Sequence, residues 1–409
     1  MRQQPPYPVN SEAATAGFDA GSGRFAAASR IFQRKTSSGW FLPQIDGLRF
    51  VAIATVFIVH VIAYTLAKLP GHGPSWLEGH YIRLARGVEL FFVISGFVIA
   101  MPFVKCALNN IATMSLKDFY VRRLTRLEPP FLVAMLLTFA SLVLVHHSSA
   151  RALLPHLWAT CTYTHAMIYG GKSPIAFITW SLEIEVQFYV LAPLIFTALH
   201  LRPPLRRCTL IALAGAAGVL RALLASAHPV LSVSLIGYLP FFVAGILVCD
   251  LGISSDFWRK QRGLRWDGIG CLSLLVGYSI PNSLLVESAV LPLLFGFSIM
   301  AVFRGRLLAK IMAGPVVTAI GGMCYTIYLL HVPLIYFFGR LTRYAFVGHD
   351  VATNAVLQVL LLTVPILGMC CIFFLAIEKP CMNRHWPKEL SQRVWWRGSN
   401  NMEAGHANV

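Results

Sequence analysis

Long apolar blocks, each broken by only a few polar positions, recur along this chain. Ten of them approach the roughly 20 residues that cross a hydrocarbon layer as a helix. They fall at 45–67, 87–105, 127–146, 175–199, 208–226, 231–250, 266–282, 284–302, 319–339 and 353–377. The seventh and eighth are separated only near Pro281-Asn282-Ser283. Residues 151–168 are amphipathic, which predicts an interfacial or re-entrant piece. The pattern predicts an all-α fold, a polytopic transmembrane helical bundle over 41–380. Pro, Ser, Gly and Ala dominate 1–40, a predicted flexible cytoplasmic tail, and 381–409 is predicted as a second cytoplasmic tail.

Composition agrees. Of 409 residues 56% are hydrophobic and 12% charged, about half the charged share of soluble domains. Charge then orients the bundle. With the N-terminus in the cytoplasm, the inner segments hold Arg24, Arg30, Arg34 and Lys35, the run Lys105 to Arg126, and Arg202, Arg206 and Arg207. They also hold Arg259 to Arg265, Arg304 to Lys310, and the tail with Lys379, Arg384, Lys388, Arg393 and Arg397. Arg83, Arg86, Arg151, Lys172, Arg221, Arg340 and Arg343 are assigned outside, a bias that predicts both termini inside. The net charge of +17 therefore calls for no nucleic acid; basic inner loops suit anionic lipid heads and phosphate-bearing ligands. Nine cysteines without close Cys/His pairing predict neither a disulfide framework nor a metal site.

Ionisable residues inside the apolar blocks carry the chemistry, since such groups are expensive in a membrane unless partners receive them. His60 lies within Phe50–Tyr64; Glu89, Glu183, Glu185 and His331 repeat the pattern. Arg49 and His60 are three helical turns apart, so they share a face about 16 Å apart along the axis, and Tyr64 continues it. Asp46 and Arg49 can pair at i,i+3. Counting from the predicted span ends puts His60, Glu183, Glu185 and His331 at one level in the outer half of the bilayer. Glu183 and Glu185 point about 160° apart, so one holds structure while the other works. Glu89 stands one turn from Arg86, a pairing that simple anchoring would explain. Ser95-Gly96 permits close helix approach and access to a substrate. Each of these residues also has a structural reading: His60 as a hydrogen-bonded core histidine, the glutamates as bundle contacts, Arg122, Arg123 and Arg126 as a topology signal, Tyr64 and Trp180 as interface anchors.

The segments Ile45-Asp46-Gly47-Leu48-Arg49 with His60, and Phe91-Phe92-Val93-Ile94-Ser95-Gly96-Phe97, resemble the opening of the membrane acyltransferase type 3 family. Arg122-Arg123-Leu124-Thr125-Arg126-Leu127-Glu128-Pro129-Pro130, Thr179-Trp180-Ser181-Leu182 through Phe188-Tyr189, Tyr325 through Pro333 and Glu378-Lys379-Pro380 follow in the family's order. The resemblance implies ten transmembrane helices and O-acylation, often acetylation, of a carbohydrate such as a surface polysaccharide or glycolipid. It implies acyl-CoA as a donor substrate from the cytoplasmic side, with no tightly bound cofactor. It also implies a catalytic role for the histidine at His60, and importance of Arg49, Arg122 and Arg126 for donor binding or activity. Where the family carries two adjacent carboxylates, this chain has Glu185 followed by Val186, with Glu183 upstream, which favours Glu185. Some relatives carry a fused extracytoplasmic hydrolase-like domain, which is not expected within this sequence.

The expected reaction is acyl-CoA plus a sugar hydroxyl giving an O-acyl sugar and CoA. His60 is expected to act as general base, or as nucleophile through an acyl-histidine, with Glu185 or His331 orienting it. Arg49, Arg122, Arg123 and Arg126 would hold the donor's phosphates, and Tyr64, Glu89, Ser95 and Trp180 the acceptor. Expected partners are a carbohydrate or glycolipid acceptor, membrane lipids and polysaccharide-biosynthesis machinery, at a bacterial cytoplasmic membrane. The alternatives are a transporter or flippase for a glycan or lipid-linked saccharide, which also buries His and Glu, and a non-catalytic scaffold.

Overall fold

The computed structural model describes residues 42–383 apart from 70–79, 110, 112–114, 225–229, 231–232, 256 and 260, together with residue 386. The N-terminal tail and most of the C-terminal one, with their basic residues, lie outside the described residues. All regular structure among the described residues is helical. The first long helix, α1 (Pro43–Leu66), starts on a proline, whose missing N–H is one the first turn leaves unbonded anyway. A 3-10 turn leads into α2 (Gly87–Leu108). Next, α3 (Leu116–Leu144) is capped by Ser115, whose hydroxyl accepts from the Asp118 amide at 3.1 Å. Then come α4 (Ala150–Cys161), α5 (His165–Tyr169), α6 (Trp180–Phe196), α7 (Pro203–Leu224) and α8 (Leu235–Ser254). The chain continues through α9 (Leu264–Ser279), α10 (Leu284–Arg304), α11 (Leu307–Met312), α12 (Pro315–Gly322), α13 (Cys324–Thr342) and α14 (Val351–Phe373), which ends in a π-turn at Phe374–Glu378.

Among the described residues nine helical stretches are long and apolar enough to span a bilayer. The predicted seventh span is α9, only 16 residues, folded back on α10 across the Pro281-Asn282-Ser283 turn. The third runs longer than expected, because Ser115 caps it ahead of the basic run and places Arg122, Arg123 and Arg126 within the helix. The ninth is broken at Met323. Gly321 lies against the backbone of Asp46 and Phe50, so α12 packs flat across the start of α1 before α13 sets off. The amphipathic 151–168 stretch re-enters the bundle. Tyr163 stacks on Phe131 at 4.8 Å, and Phe131 is 13 residues, or about 20 Å, from the end of α3.

The most enclosed span is α8, with 78% of its apolar window buried against 17% for α7. It meets α2 at Gly96 and Gly245, where each helix's backbone touches the other with no side chain between. At the end of α8, Asp250 is fully buried and accepts from Arg207 at 2.8 Å while pairing with Arg206, tying α7 to α8. Glu378 accepts from the Thr326 amide at 3.2 Å and its hydroxyl at 2.5 Å, fixing the end of α14 to the first turn of α13. Glu378 and Thr326 belong to two of the motifs read in the sequence, and their proximity explains both together.

Candidate active site

A cavity of about 580 Å³ lies between α1, α2, α3, α6 and α13. Its basic end is lined by Arg49, Lys105, Arg122, Arg123 and Arg126. Arg49 also donates to Asp46 at 2.5 Å, the i,i+3 pair read from the sequence. Arg123 sits over the Phe119 ring at 3.6 Å, held there by the aromatic face and by the Phe119 carbonyl. Midway along, Glu185 accepts from Ser95 at 2.8 Å and from Tyr189 at 2.5 Å. The far end is closed by Tyr328, whose hydroxyl donates to the Ile178 carbonyl at 2.6 Å and meets Ser181 at 2.6 Å.

Just beyond that closure are two imidazoles from helices 271 residues apart in sequence, with His331 Nε2 3.1 Å from His60 Nδ1. Their proton positions follow from what surrounds them. His331 Nδ1 faces the carbonyl oxygens of Ile327 and Tyr328 at 2.9 and 2.8 Å; carbonyls only accept, so Nδ1 carries the hydrogen. The Nε2 of neutral His331 is then an acceptor. His60 Nδ1 faces that acceptor and the Val56 carbonyl at 2.7 Å, so it also carries its hydrogen. The lone pair of neutral His60 is therefore on Nε2, the nitrogen that a general base needs free. His331 is fully buried and His60 half-buried, with Phe177 against its ring at 5.4 Å.

The other predicted residues divide. Arg49, Arg122, Arg123, Arg126, Ser95 and Glu185 all line the cavity. Glu185 does not reach the histidines. Phe177 marks the His60 level on the way into α6, and Glu185 lies eight residues, about 12 Å, deeper. The span predicted at 175–199 is present as Phe177–His200, but its outer end, not its middle, stands level with His60, so depth counted from Ile175 brings Glu185 too close to the base. Glu183 points the other way, as helix geometry requires, and accepts the Ala166 amide of α5 at 2.9 Å. Glu89 does not pair with Arg86. That guanidinium donates to the carbonyls of Gly277 and Ile280 and to Asn282, with Glu287 at 3.5 Å. Trp180 packs against Tyr238 at 5.5 Å, away from the cavity lining. Tyr64 is buried against Gly339 and Tyr336, one turn past His60. Lys105, Ser181, Tyr189, Tyr325 and Tyr328 line the cavity without having been singled out, although all but Lys105 stand inside the quoted motifs.

With nine stretches among the described residues long and apolar enough to span a bilayer, the bundle is that of an integral membrane protein, and its cavity joins a cationic end to a wall at Tyr328, one helical turn from the paired imidazoles. The chain belongs to the acyltransferase 3 family: residues 42–375 match the family model described as an acyltransferase domain. Similar curated proteins are bacterial. O-acetyltransferase OatA of Staphylococcus aureus is 31% identical over 175 residues, 40% of this chain and 26% of that protein. The putative peptidoglycan O-acetyltransferase YrhL of Bacillus subtilis is 30% identical over 174 residues, 39% of this chain and 24% of that protein. A putative O-acetyltransferase of Staphylococcus aureus is 29% identical over 171 residues, 39% and 26%. The alignments thus span about a quarter of these relatives' length. No solved structure matches.

Proposed function

We propose that the protein transfers an acyl group, acetyl by analogy with the relatives' names, from acyl-CoA to a hydroxyl of a carbohydrate. The observation that carries this reading is the His60–His331 hydrogen bond, which leaves His60 Nε2 as a free base immediately beyond a cavity with five cations at its mouth. In this reading the cationic end faces the cytoplasm, both termini lie inside, and α9 completes ten spans of a bacterial cytoplasmic membrane protein. The donor's phosphates rest on Arg49, Lys105, Arg122, Arg123 and Arg126, whose charge-assisted contacts suit phosphate oxygens. The pantetheine arm extends past Ser95, Glu185 and Tyr189 toward Tyr328. The acceptor approaches His60 from the other side of the membrane. His60 Nε2 takes the hydroxyl proton as the sugar oxygen attacks the thioester carbonyl, the C–S bond breaks, and the proton is passed to the leaving thiolate. His331 Nε2 accepts the Nδ1 hydrogen of His60 throughout and stabilises the imidazolium when it forms.

The Tyr328–Ser181 contact stands between donor cavity and base, so it must part before the thioester meets His60. Tyr328→Phe removes the hydroxyl that bonds Ser181 and Ile178. We expect a higher ratio of donor hydrolysis to acyl transfer, measured as thiol release with and without acceptor; an unchanged ratio would remove the partition role. The Arg122→Ala/Arg126→Ala pair should raise the donor KM or Kd by roughly 30- to 700-fold, at ~1–2 kcal/mol for each of the two charge-assisted contacts. Undiminished CoA binding to that variant in detergent would remove the donor assignment. The broader test is mass spectrometry of surface glycans from cells with and without the protein, where a mass gain of one acyl group is expected. A transporter would instead move substrate without consuming acyl-CoA.

A further inference from the structure

Besides Lys68, exposed just past the end of α1, the seven basic residues assigned to the outer side fall into two groups. Arg86 and Arg221 are buried and share Glu287 at 3.5 and 3.6 Å, and Arg83 donates to the Ser279 carbonyl at 2.7 Å. These three hold helices together. Arg151, Lys172, Arg340 and Arg343 are exposed, and the last three gather on the approach to His60. Phe177, in van der Waals range of the His60 ring, closes the loop that carries Lys172, and the Lys172 charge acts on His60. Tyr64 lies against Gly339, which puts Arg340 and Arg343 beside it, and both charges act on Tyr64. Arg340 also reaches His146 at 3.2 Å, just past the end of α3, and is nine residues, about 13 Å, beyond His331. The arginines thus mark a rim, and Lys172 stands five residues ahead of Phe177 on the loop that leads to the base.

Three of the acids at this end among the described residues are engaged elsewhere. Glu287 is shared by Arg86 and Arg221, Glu183 holds the Ala166 amide, and Asp350 caps α14 through the Thr353 amide at 2.7 Å. Glu89, in the first turn of α2, keeps one buried carboxylate oxygen without a hydrogen-bond partner. Exposed cations on the approach to an intramembrane imidazole call for a water-filled recess, since lipid would make them prohibitive. A recess walled by apolar helices focuses the field of uncompensated cations. Phe177 and Tyr336, 36% and 49% exposed, supply flat apolar faces along it.

Resting on the acyl-transfer reading above, we infer that the acceptor is an anionic glycan, carrying a carboxylate or phosphate that Lys172, Arg340 and Arg343 draw to His60. The anion belongs either to an acidic or phosphate-bearing polymer or to the phosphate of a lipid-linked saccharide. Glycans from cells carrying the protein or its His60→Ala variant are separated into polymer and solvent-extracted lipid-linked pools. Each pool is resolved by anion exchange and searched for the acyl mass gain. The gain is expected only in anion-bearing fractions, and the pool that holds it names the source. Lys172→Gln/Arg340→Gln/Arg343→Gln should lower it about 10-fold at unchanged membrane abundance, with Lys172→Arg retaining most of it. A gain on neutral glycans, or an abundant triple variant with undiminished acylation, overturns this inference alone. Should the triple variant fail to accumulate, the charge of the wild-type product decides. No gain in any fraction overturns the acyl-transfer reading and this inference with it.

Discussion

His60→Ala should reduce acyl transfer by about 10²- to 10⁴-fold, the range that a positioned general base contributes, while the protein still inserts and CoA still binds. Inserted protein is measured by membrane-fraction abundance, and transfer by label moved from acyl-CoA to glycan. Full activity in the variant would end the base assignment. The size of the loss follows from the proton inventory. Nδ1 is committed to the Val56 carbonyl and to His331, so only Nε2 can receive the hydroxyl proton, and no other described basic nitrogen is bonded into the pair. His331→Gln should cost less, roughly 10- to 100-fold, because the Val56 carbonyl continues to hold His60 in the required tautomer. A positioning role for His331 further predicts a changed pH–rate profile, which a purely structural loss would leave in place.

The largest effect on the fold is expected at the α2–α8 contact. A Cβ at Gly245 would meet the Val93 carbonyl and the Phe97 amide, and one at Gly96 would meet the Phe242 carbonyl. Backbone cannot swing aside as a side chain can, so Gly245→Leu must separate two of the most enclosed spans. Overpacking of this kind costs ~1–3 kcal/mol where neighbours can adjust and more where they cannot. We expect loss of most folded protein from the membrane and an early, broad melt of what remains in detergent. Gly171→Ala, with open space around the new methyl, is the control and should be neutral. A Gly245→Leu variant of normal abundance and melting temperature would show that the helices meet differently.

The α2–α8 contact also separates what can be read along a chain from what cannot. Ser95-Gly96 in an apolar block was legible as a place for close approach, yet nothing in the sequence pointed to Phe242 as the partner. The glutamates divide similarly. That Glu183 and Glu185 part ways follows from 100° per residue, and they do part, one to the Ala166 amide and the other to Ser95 and Tyr189. That Glu185 lies about 12 Å deeper than His60 depends on how α6 is offset along the bundle from α1, which brings Phe177 and not Glu185 level with the imidazole. Arg86 and Glu89 stand at pairing distance along a helix, but Arg86 turns to the carbonyls at the end of α9 and to Asn282. A local spacing permits a pair; competing partners from another helix choose it.

Helical class, the placing of most spans, the cationic loops and the intramembrane histidines were therefore fixed by sequence alone. Each follows from apolar run length or from the cost of charge in hydrocarbon, and both are properties of a segment by itself. Tertiary structure alone decided that His331 and not Glu185 reaches His60, that Tyr328 and Ser181 meet in the cavity wall, and that the loop carrying Lys172 leads into Phe177 against the His60 ring. Helix rotation, tilt and depth arise from packing between segments far apart in the chain, where a shift of one turn moves a side chain by about 5 Å and replaces its neighbours.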